Sequence, residues 1–383
     1  MLGSTFDIHA CLGKGGFAEV YLATQRRSSG VVRTVAVKVL REEIDDMDVA
    51  TSRLQDEAKM LGTLRHPAIL GVLELTRIEG RLALVTEYVE GVDLSAFTTR
   101  DLLAPARVSI GVVGEVASAL DCAWNTTSPE TNAPLHLVHR DIKPENIRLS
   151  RFGEVKLLDF GVARTAQLAR FANTGAGNMP FTPGYAAPES YARGEQSAAS
   201  DVYALGVTLF RLLVGERLYE GVALPGQFTI TSAPERYGPF LRERLARVAA
   251  STETIELLRD MLAYEASERP TALMMARRCD RMADELPGPT HICFARSRSN
   301  DGPKDVGGTL VGRTVSSDPL HTLHVSRHAG FQTQTPVIKP VRQRQPQPTP
   351  SQAPQALLIV MAAMAVSALF VAILAVGLSF LLG

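Results

Sequence analysis

Leu137-Val138-His139-Arg140-Asp141-Ile142-Lys143-Pro144-Glu145-Asn146-Ile147 is the stretch that decides how this 383-residue chain is read. Two shorter segments follow it in order, Lys156-Leu157-Leu158-Asp159-Phe160-Gly161 and Thr182-Pro183-Gly184-Tyr185-Ala186-Ala187-Pro188-Glu189. Far upstream lies Gly13-Lys14-Gly15-Gly16-Phe17-Ala18-Glu19-Val20. Glycines in such a run let backbone N–H groups approach phosphate oxygens, but the same run can be a plain hairpin turn. It sits between β-type segments and does not open a helix, which disfavours a dinucleotide-binding βαβ unit. Val35-Ala36-Val37-Lys38 then places one lysine in an apolar strand. A lysine buried without an anion is costly, and Glu57 is a candidate partner; a strand-edge lysine that snorkels to solvent is the alternative.

Short β-type runs dominate the first hundred residues: VVRTVAVKVL (31–40), ILGVLELTRI (69–78) and RLALVTEYV (81–89). One helical stretch interrupts them, Val49 to Leu64, with Leu54, Ala58 and Leu61 at helical spacing. Beyond Asp101 the pattern turns helical, in ARVSIGVVGEVASALDCAW, SDVYALGVTLFRLLVG and STETIELLRDMLAYEA. Strands followed by helices predict an α+β chain of two lobes, a small β-rich N-lobe and a larger α-helical C-lobe.

Taken together, the ordered motifs resemble those of the protein kinase superfamily over about Phe6 to Leu286. The resemblance implies the bilobal kinase fold and transfer of a phosphoryl group from ATP with Mg²⁺. Gly13 and Gly15, with the backbone between them, would cover the ATP phosphates. The nucleotide site would also take in Lys14, Gly16, Phe17, Ala18, Val20, Ala36, Glu87 and Val89. Lys38 would hold the α- and β-phosphates and pair with Glu57. Asp141 would orient the acceptor hydroxyl and receive its proton, Lys143 would touch the γ-phosphate, and Asn146 and Asp159 would bind the metal. These residue types suit the chemistry, because phosphoryl transfer asks a protein mainly for positioning and charge neutralisation.

Ala18 departs from the family's third glycine, a small change. The stretch ahead of Val138, NTTSPETNAPLHL, looks longer than in many members and similar to bacterial ones. Lys143, two residues after Asp141, resembles the serine/threonine subclass. Thr86 would be a small gatekeeper, Asp201 a C-lobe structural residue, and Arg269 a partner of Glu189. Arg140, directly before Asp141, implies control by activation-loop phosphorylation. Of Thr165, Thr174 and Thr182, the mid-loop Thr174 is the candidate switch, while Thr182 would contact Asp141 and Lys143. A catalytically weak pseudokinase scaffold or a membrane adaptor is the other reading. It predicts decay in the motifs, yet Lys38, Glu57, Asp141, Asn146 and Asp159 are all present.

Lys+Arg and Asp+Glu each number 40, so the net charge is zero and nucleic acid held by bulk charge is excluded as a partner. Cys11, Cys122, Cys279 and Cys293 lie far apart, which argues against a zinc ribbon or disulfide scaffold. Residues 357–382 carry no charge and, at about 1.5 Å per residue, would span roughly 39 Å as a helix, enough for a transmembrane segment in contact with membrane lipid. Residues 287–356 read as a Pro/Gln-rich juxtamembrane linker, basic and free of Asp and Glu from Pro319 to Ala356. Within it, 287–318 is open between disorder and a small strand pair. The organisation expected is therefore a kinase domain at 6–286, a linker at 287–356 and a membrane helix at 357–382. The kinase domain would be cytoplasmic, on the inner membrane of a bacterium, and would act on protein substrates. A homodimer that phosphorylates itself in trans also fits the resemblance.

Overall fold

The computed structural model describes residues 4–44, 46–128, 131–160, 181–298 and 302–318. Its N-terminal half begins with β1 (Thr5–Lys14), β2 (Ala18–Arg26) and β3 (Val32–Leu40), joined in antiparallel register. Alternation along β3 sets the geometry of the site. Val35, Val37 and Val39 point into the apolar interior of the sheet with Phe6, Ile8, Tyr21 and Val85, so Lys38 must face the other side. β4 (Val72–Ile78) and β5 (Arg81–Glu87) form the next hairpin, and β5 pairs with β3 so that Lys38 stands opposite Leu84 and Ala36 opposite Thr86.

Between β3 and β4 runs α1 (Met47–Thr63), whose first turn is capped by the Asp46 carboxylate accepting the Val49 N–H at 3.1 Å. Ala50, Leu54, Glu57, Ala58 and Leu61 make its buried stripe. The helical period therefore puts Glu57 on the stripe that packs against Leu40, Leu82 and Leu84, beneath the face that carries Lys38. The sequence places this helix at Val49 to Leu64; the observed bounds differ only at the ends.

The C-lobe is helical. α2 (Ala106–Asn125) lies against the later helices, and a small sheet of β6 (Gly91–Asp93), β7 (Ile147–Ser150) and β8 (Val155–Leu157) carries the loops at the lobe boundary. Then come α3 (Pro188–Arg193), α4 (Ala198–Val214), α5 (Leu224–Thr231), α6 (Pro234–Leu245), α7 (Thr252–Met261) and α8 (Ala272–Glu285). α4 is buried on almost every side, and its first turn is closed by a capping box between Ser197 and Ser200. It is the post around which the lobe is built, and it delivers Asp201 to the interior.

In 287–318, open between disorder and a small strand pair from the sequence, the described residues include one helix and one strand, the strand paired with the N-lobe sheet. α9 (His291–Arg296) packs against α2, and β9 (Thr314–Asp318) enters the N-lobe sheet between β1 and β4. The order β1-β2-β3-β5-β4-β9 closes into a barrel. The reason is local. Val315 and Ser317 alternate inward while Thr314, Ser316 and Asp318 face out, and Leu310 is fully buried in the barrel core. Among the described residues no helix is long and apolar enough to cross a membrane; the segment 357–382 and the linker from 319 onward lie outside them.

The expected pairing of Arg269 with Glu189 is present. The guanidinium donates to the two carboxylate oxygens at 2.7 and 2.8 Å and to the carbonyls of Ala263, Ala199 and Tyr264 at 2.9, 3.1 and 2.9 Å. Its side chain is wholly buried and lies over the Tyr203 ring, so every N–H of the fork is engaged. Arg269→Ala leaves the largely buried Glu189 charge with the Ser200 hydroxyl but without its cation, and should cost about 3–5 kcal/mol of unfolding free energy. Chemical denaturation checks this, and a loss below about 1 kcal/mol, the range of an exposed pair, would contradict it.

Candidate active site

Lys38 is held from two sides. Its Nζ donates to Glu57 Oε1 and Oε2, both at 3.0 Å, and to Asp159 Oδ1 at 2.9 Å. β3, α1 and the segment after β8 thus meet at one ammonium. Burial would lower the Lys38 pKa, but the charges of Asp159 and Glu57 outweigh it and hold the ammonium well above its ordinary value. Lys38 in turn keeps the Asp159 carboxyl below the usual carboxylate range, while burial pushes Glu57 up. The snorkelling alternative for Lys38 is therefore not what is found.

The second cluster lies in the loop before β7. Asp141 Oδ2 accepts from Lys143 Nζ at 2.8 Å and from Asn146 Nδ2 at 3.0 Å, and Asp141 Oδ1 accepts the Thr182 hydroxyl at 2.7 Å. Lys143 Nζ also reaches Thr182 Oγ1 at 3.5 Å. Asn146 Nδ2 donates again to the Asp141 carbonyl at 2.8 Å, so both its donors are turned to Asp141, and its amide oxygen is left for another ligand. The expectation that Thr182 contacts Asp141 and Lys143 holds.

Backbone geometry under this cluster is unusual and well supported. Arg140 and Asp159 both have left-handed φ, 68° and 48°. Such conformations cost a non-glycine residue of the order of 1–3 kcal/mol and persist only when neighbours impose them. At Arg140 the imposing group is Asp201, whose carboxylate accepts the N–H groups of His139 and Arg140 at 2.6 and 2.9 Å. Burial pushes the Asp201 carboxyl up to about 7, against those two donors. The buried His139 Nδ1 accepts the Asp141 N–H at 3.3 Å, so its Nε2 carries the proton and donates to the Leu158 carbonyl at 3.0 Å. His139 thereby ties the Asp141 loop to the residue just before Asp159.

Gly13 and Lys14 end β1, and Ala18 starts β2, with Gly15, Gly16 and Phe17 between them. The turn is closed by the Gly15 N–H donating to the Ala18 carbonyl at 2.8 Å. None of the three glycines needs a left-handed φ. A Cβ at Gly13 or Gly16 would touch nothing within 4 Å, and at Gly15 only the Ala18 carbonyl at 3.5 Å. Nothing in the described protein thus demands glycine here, which fits a bound group that comes close to the backbone. Phe17, at the tip, lies under the Arg53 guanidinium of α1 at 4.7 Å.

Ala36 and Val20 lie on β3 and β2, and Thr86 is buried at the end of β5. Glu87 proves to be more than a hinge backbone. Its Oε1 accepts the Gly71 N–H at 2.7 Å and Lys156 Nζ at 2.8 Å, joining β5 to β8. The carbonyl of the buried Val89 is taken by Arg148 Nε at 2.8 Å. Sequence reasoning missed both, along with the direct Lys38–Asp159 bond; no spacing rule predicts partners so far apart in the chain. Thr165, Thr174 and Gly161 lie outside the described residues, so the expected approach of Thr174 to Arg140 is not among the contacts seen.

Comparison with known proteins agrees with this geometry. The family model described as protein kinase domain matches residues 6–278. The chain is 32% identical over 210 residues to the probable serine/threonine-protein kinase PknB of Lactococcus lactis, covering 55% of this chain and 31% of that one. It is 33% identical over 255 residues to the serine/threonine-protein kinase PknJ of Mycobacterium tuberculosis, covering 65% and 41%. It is 34% identical over 212 residues to the tyrosine-protein kinase MasK of Myxococcus xanthus, covering 54% and 32%. The chain thus spans less than half the length of each of these relatives.

Proposed function

The chain belongs to the protein kinase family, and from that premise we propose that it transfers the γ-phosphoryl group of ATP to serine and threonine hydroxyls of proteins. The observation that carries this reading is the single ammonium of Lys38 bonded at once to Glu57 and Asp159. That arrangement fixes a cation where a triphosphate needs one and places a carboxylate beside it.

In this reading the adenine edge meets the backbone at Glu87 and Val89, and the β1–β2 turn covers the phosphates. Lys38 turns from Asp159 to the α- and β-phosphates while Glu57 keeps it in place. Asp159 and the amide oxygen of Asn146 would hold Mg²⁺, with phosphate and water oxygens completing the shell. The ion, when bound, neutralises charge on the transferring group. Asp141 then receives the acceptor hydroxyl proton as that oxygen bonds to phosphorus and the bond from phosphorus to the ADP oxygen breaks. Lys143, next to Asp141, offsets charge on the moving phosphoryl group. Thr182, donating to Asp141 Oδ1, keeps the carboxylate from rotating away.

Purified wild-type chain should label a generic protein substrate with ATP, on serine and threonine by phosphoamino-acid analysis. Lys38→Ala and Asp141→Asn should each lower the rate at least about a hundredfold while the fold, followed by circular dichroism, stays intact. Near wild-type labelling by either variant would overturn the roles given. Label confined to tyrosine would move the chain toward the activity in the printed name of MasK.

Residues 357–382 support a second element of the proposal, a single-pass membrane anchor with the kinase domain on the cytoplasmic side, where ATP is supplied. The basic linker ahead of it favours that orientation. Full-length protein should stay in the membrane fraction through high-salt and carbonate washes, and a chain ending at Ala353 should be released. Release of the full-length protein by salt would mean a peripheral attachment held by screened charge.

A further inference from the structure

The family match ends at residue 278, yet the chain continues to make ordered contacts up to Asp318. Beyond α9 on the C-lobe, the chain meets the N-lobe from Asp305 onward and runs along the outer edge of β1. Thr5, Phe6 and Asp7 pair with Ser316, Val315 and Thr314. The Ile8 N–H donates to the Arg313 carbonyl at 2.9 Å and the Gly312 N–H to the Ile8 carbonyl at 3.0 Å. Nearer the glycine-rich turn, Cys11 is held at both backbone groups. Its N–H donates to Asp305 Oδ1 at 2.8 Å, and its carbonyl accepts the Val306 N–H at 2.9 Å. Without this segment β1 would be an open sheet edge with unpaired donors and acceptors.

The segment touches the second foot of the turn as well. Thr309 Oγ1 lies 3.4 Å from the Tyr21 hydroxyl, which donates to Glu19, and Glu19 faces Lys14 at 3.7 Å. Gly308 is seated so tightly that a Cβ there would stand 2.6 Å from Tyr21 Cε1 and 2.9 Å from Cys11 Cβ. Asp305 Oδ1 accepts a further N–H, that of Gly307, at 2.9 Å, which fixes the bend that brings Gly308 in. Leu310 then plugs the barrel.

We propose that residues 302–318 are a positioning strap for the nucleotide turn, with Asp305 and Gly308 setting the feet of β1 and β2 at Cys11 and Tyr21. The inference rests on the kinase reading and deepens it. The Ala18 carbonyl, Arg41 and Arg53 hold the turn itself, and β3 holds the β2 foot. The outer side of β1 and the Tyr21 side of β2 are held by a segment outside the shared domain. Asp305 and Gly308 act through β1 and β2; neither touches the reacting groups. Among the described residues the hydrogen bonds of the Asp141 cluster run to Lys143, Asn146 and Thr182 and not to the strap, so binding of ATP should depend on it more than the chemical step does.

The test uses the full chain, with calorimetric titration of Mg²⁺–ATP and steady-state kinetics against ATP. Gly308→Val forces the strap off Tyr21, and Asp305→Ala removes two N–H acceptor contacts at the surface without a clash. Both should raise the Kd and KM for ATP by roughly three- to tenfold, the size expected for one or two lost hydrogen bonds, with kcat within about twofold of wild type. Asp305→Asn, which keeps the acceptor oxygen, should stay near wild type. If Gly308→Val does not fold, Asp305→Ala against Asp305→Asn decides alone. Unchanged Kd and KM in Asp305→Ala, whatever happens to its melting temperature, would overturn the strap and leave the kinase reading standing. Wild-type chain that binds no ATP would overturn both.

Discussion

A lysine drawn partly out of water needs a counter-charge, and much of this structure follows from how the half-buried Lys38 obtains two. β3 offers it on the face opposite Val35, Val37 and Val39, so it cannot escape into the barrel core. Glu57 is brought to it by the packing stripe of α1, and Asp159 by the C-lobe. Either carboxylate alone would leave a single ion pair. Together they make a charged junction across both lobes, in which the lysine stays protonated and Asp159 stays ionised. Such a junction is worth little as a source of stability, because desolvation offsets most of the attraction. Its value lies in a cation and a carboxylate fixed side by side.

The C-lobe serves the same end by holding backbone. Asp201, at the start of the buried helix α4, takes the N–H groups of His139 and Arg140, and His139 bridges to Leu158. Two strained residues, Arg140 and Asp159, are thereby kept at the positions from which Asp141 and Asp159 present their carboxylates. Further out, the Glu189–Arg269 pair fastens the segment carrying Thr182 to the helical frame. Hydrogen bonds from neighbouring groups hold the carboxylates of Asp141, Asp159 and Asp201 in place, which lets charged groups sit close together.

How much of this could be read beforehand divides along physical lines. Residue types that repeat with a chemical purpose were legible: the Gly13–Val20 run, Lys38, Glu57, the Asp141–Asn146 loop, Asp159, and the Arg269–Glu189 pair. The two-lobe division was legible as well, since strand and helix periodicities change over near Asp101. The 302–318 segment was not. Its strand is short and its sequence, Thr-Val-Ser-Ser-Asp, puts only one apolar side chain in the core, while the glycines before it look like those of a flexible linker. At Gly308 the glycine serves close approach to Tyr21 and Cys11, a demand that only the folded neighbour creates. The second role of Glu87 was hidden for the same reason, because its partners Gly71 and Lys156 come from different strands and loops.

The claim on which all of this turns is that a nucleotide's phosphates meet the protein at Lys38. An adenosine carrying an amine-reactive sulfonyl fluoride at its 5′ end, followed by peptide mapping of the full chain, reads that contact directly. One modified lysine, Lys38, protected by Mg²⁺–ATP, is the predicted result. Label spread over Lys14, Lys143 and Lys156 in proportion to their exposure, with no protection by ATP, would contradict it.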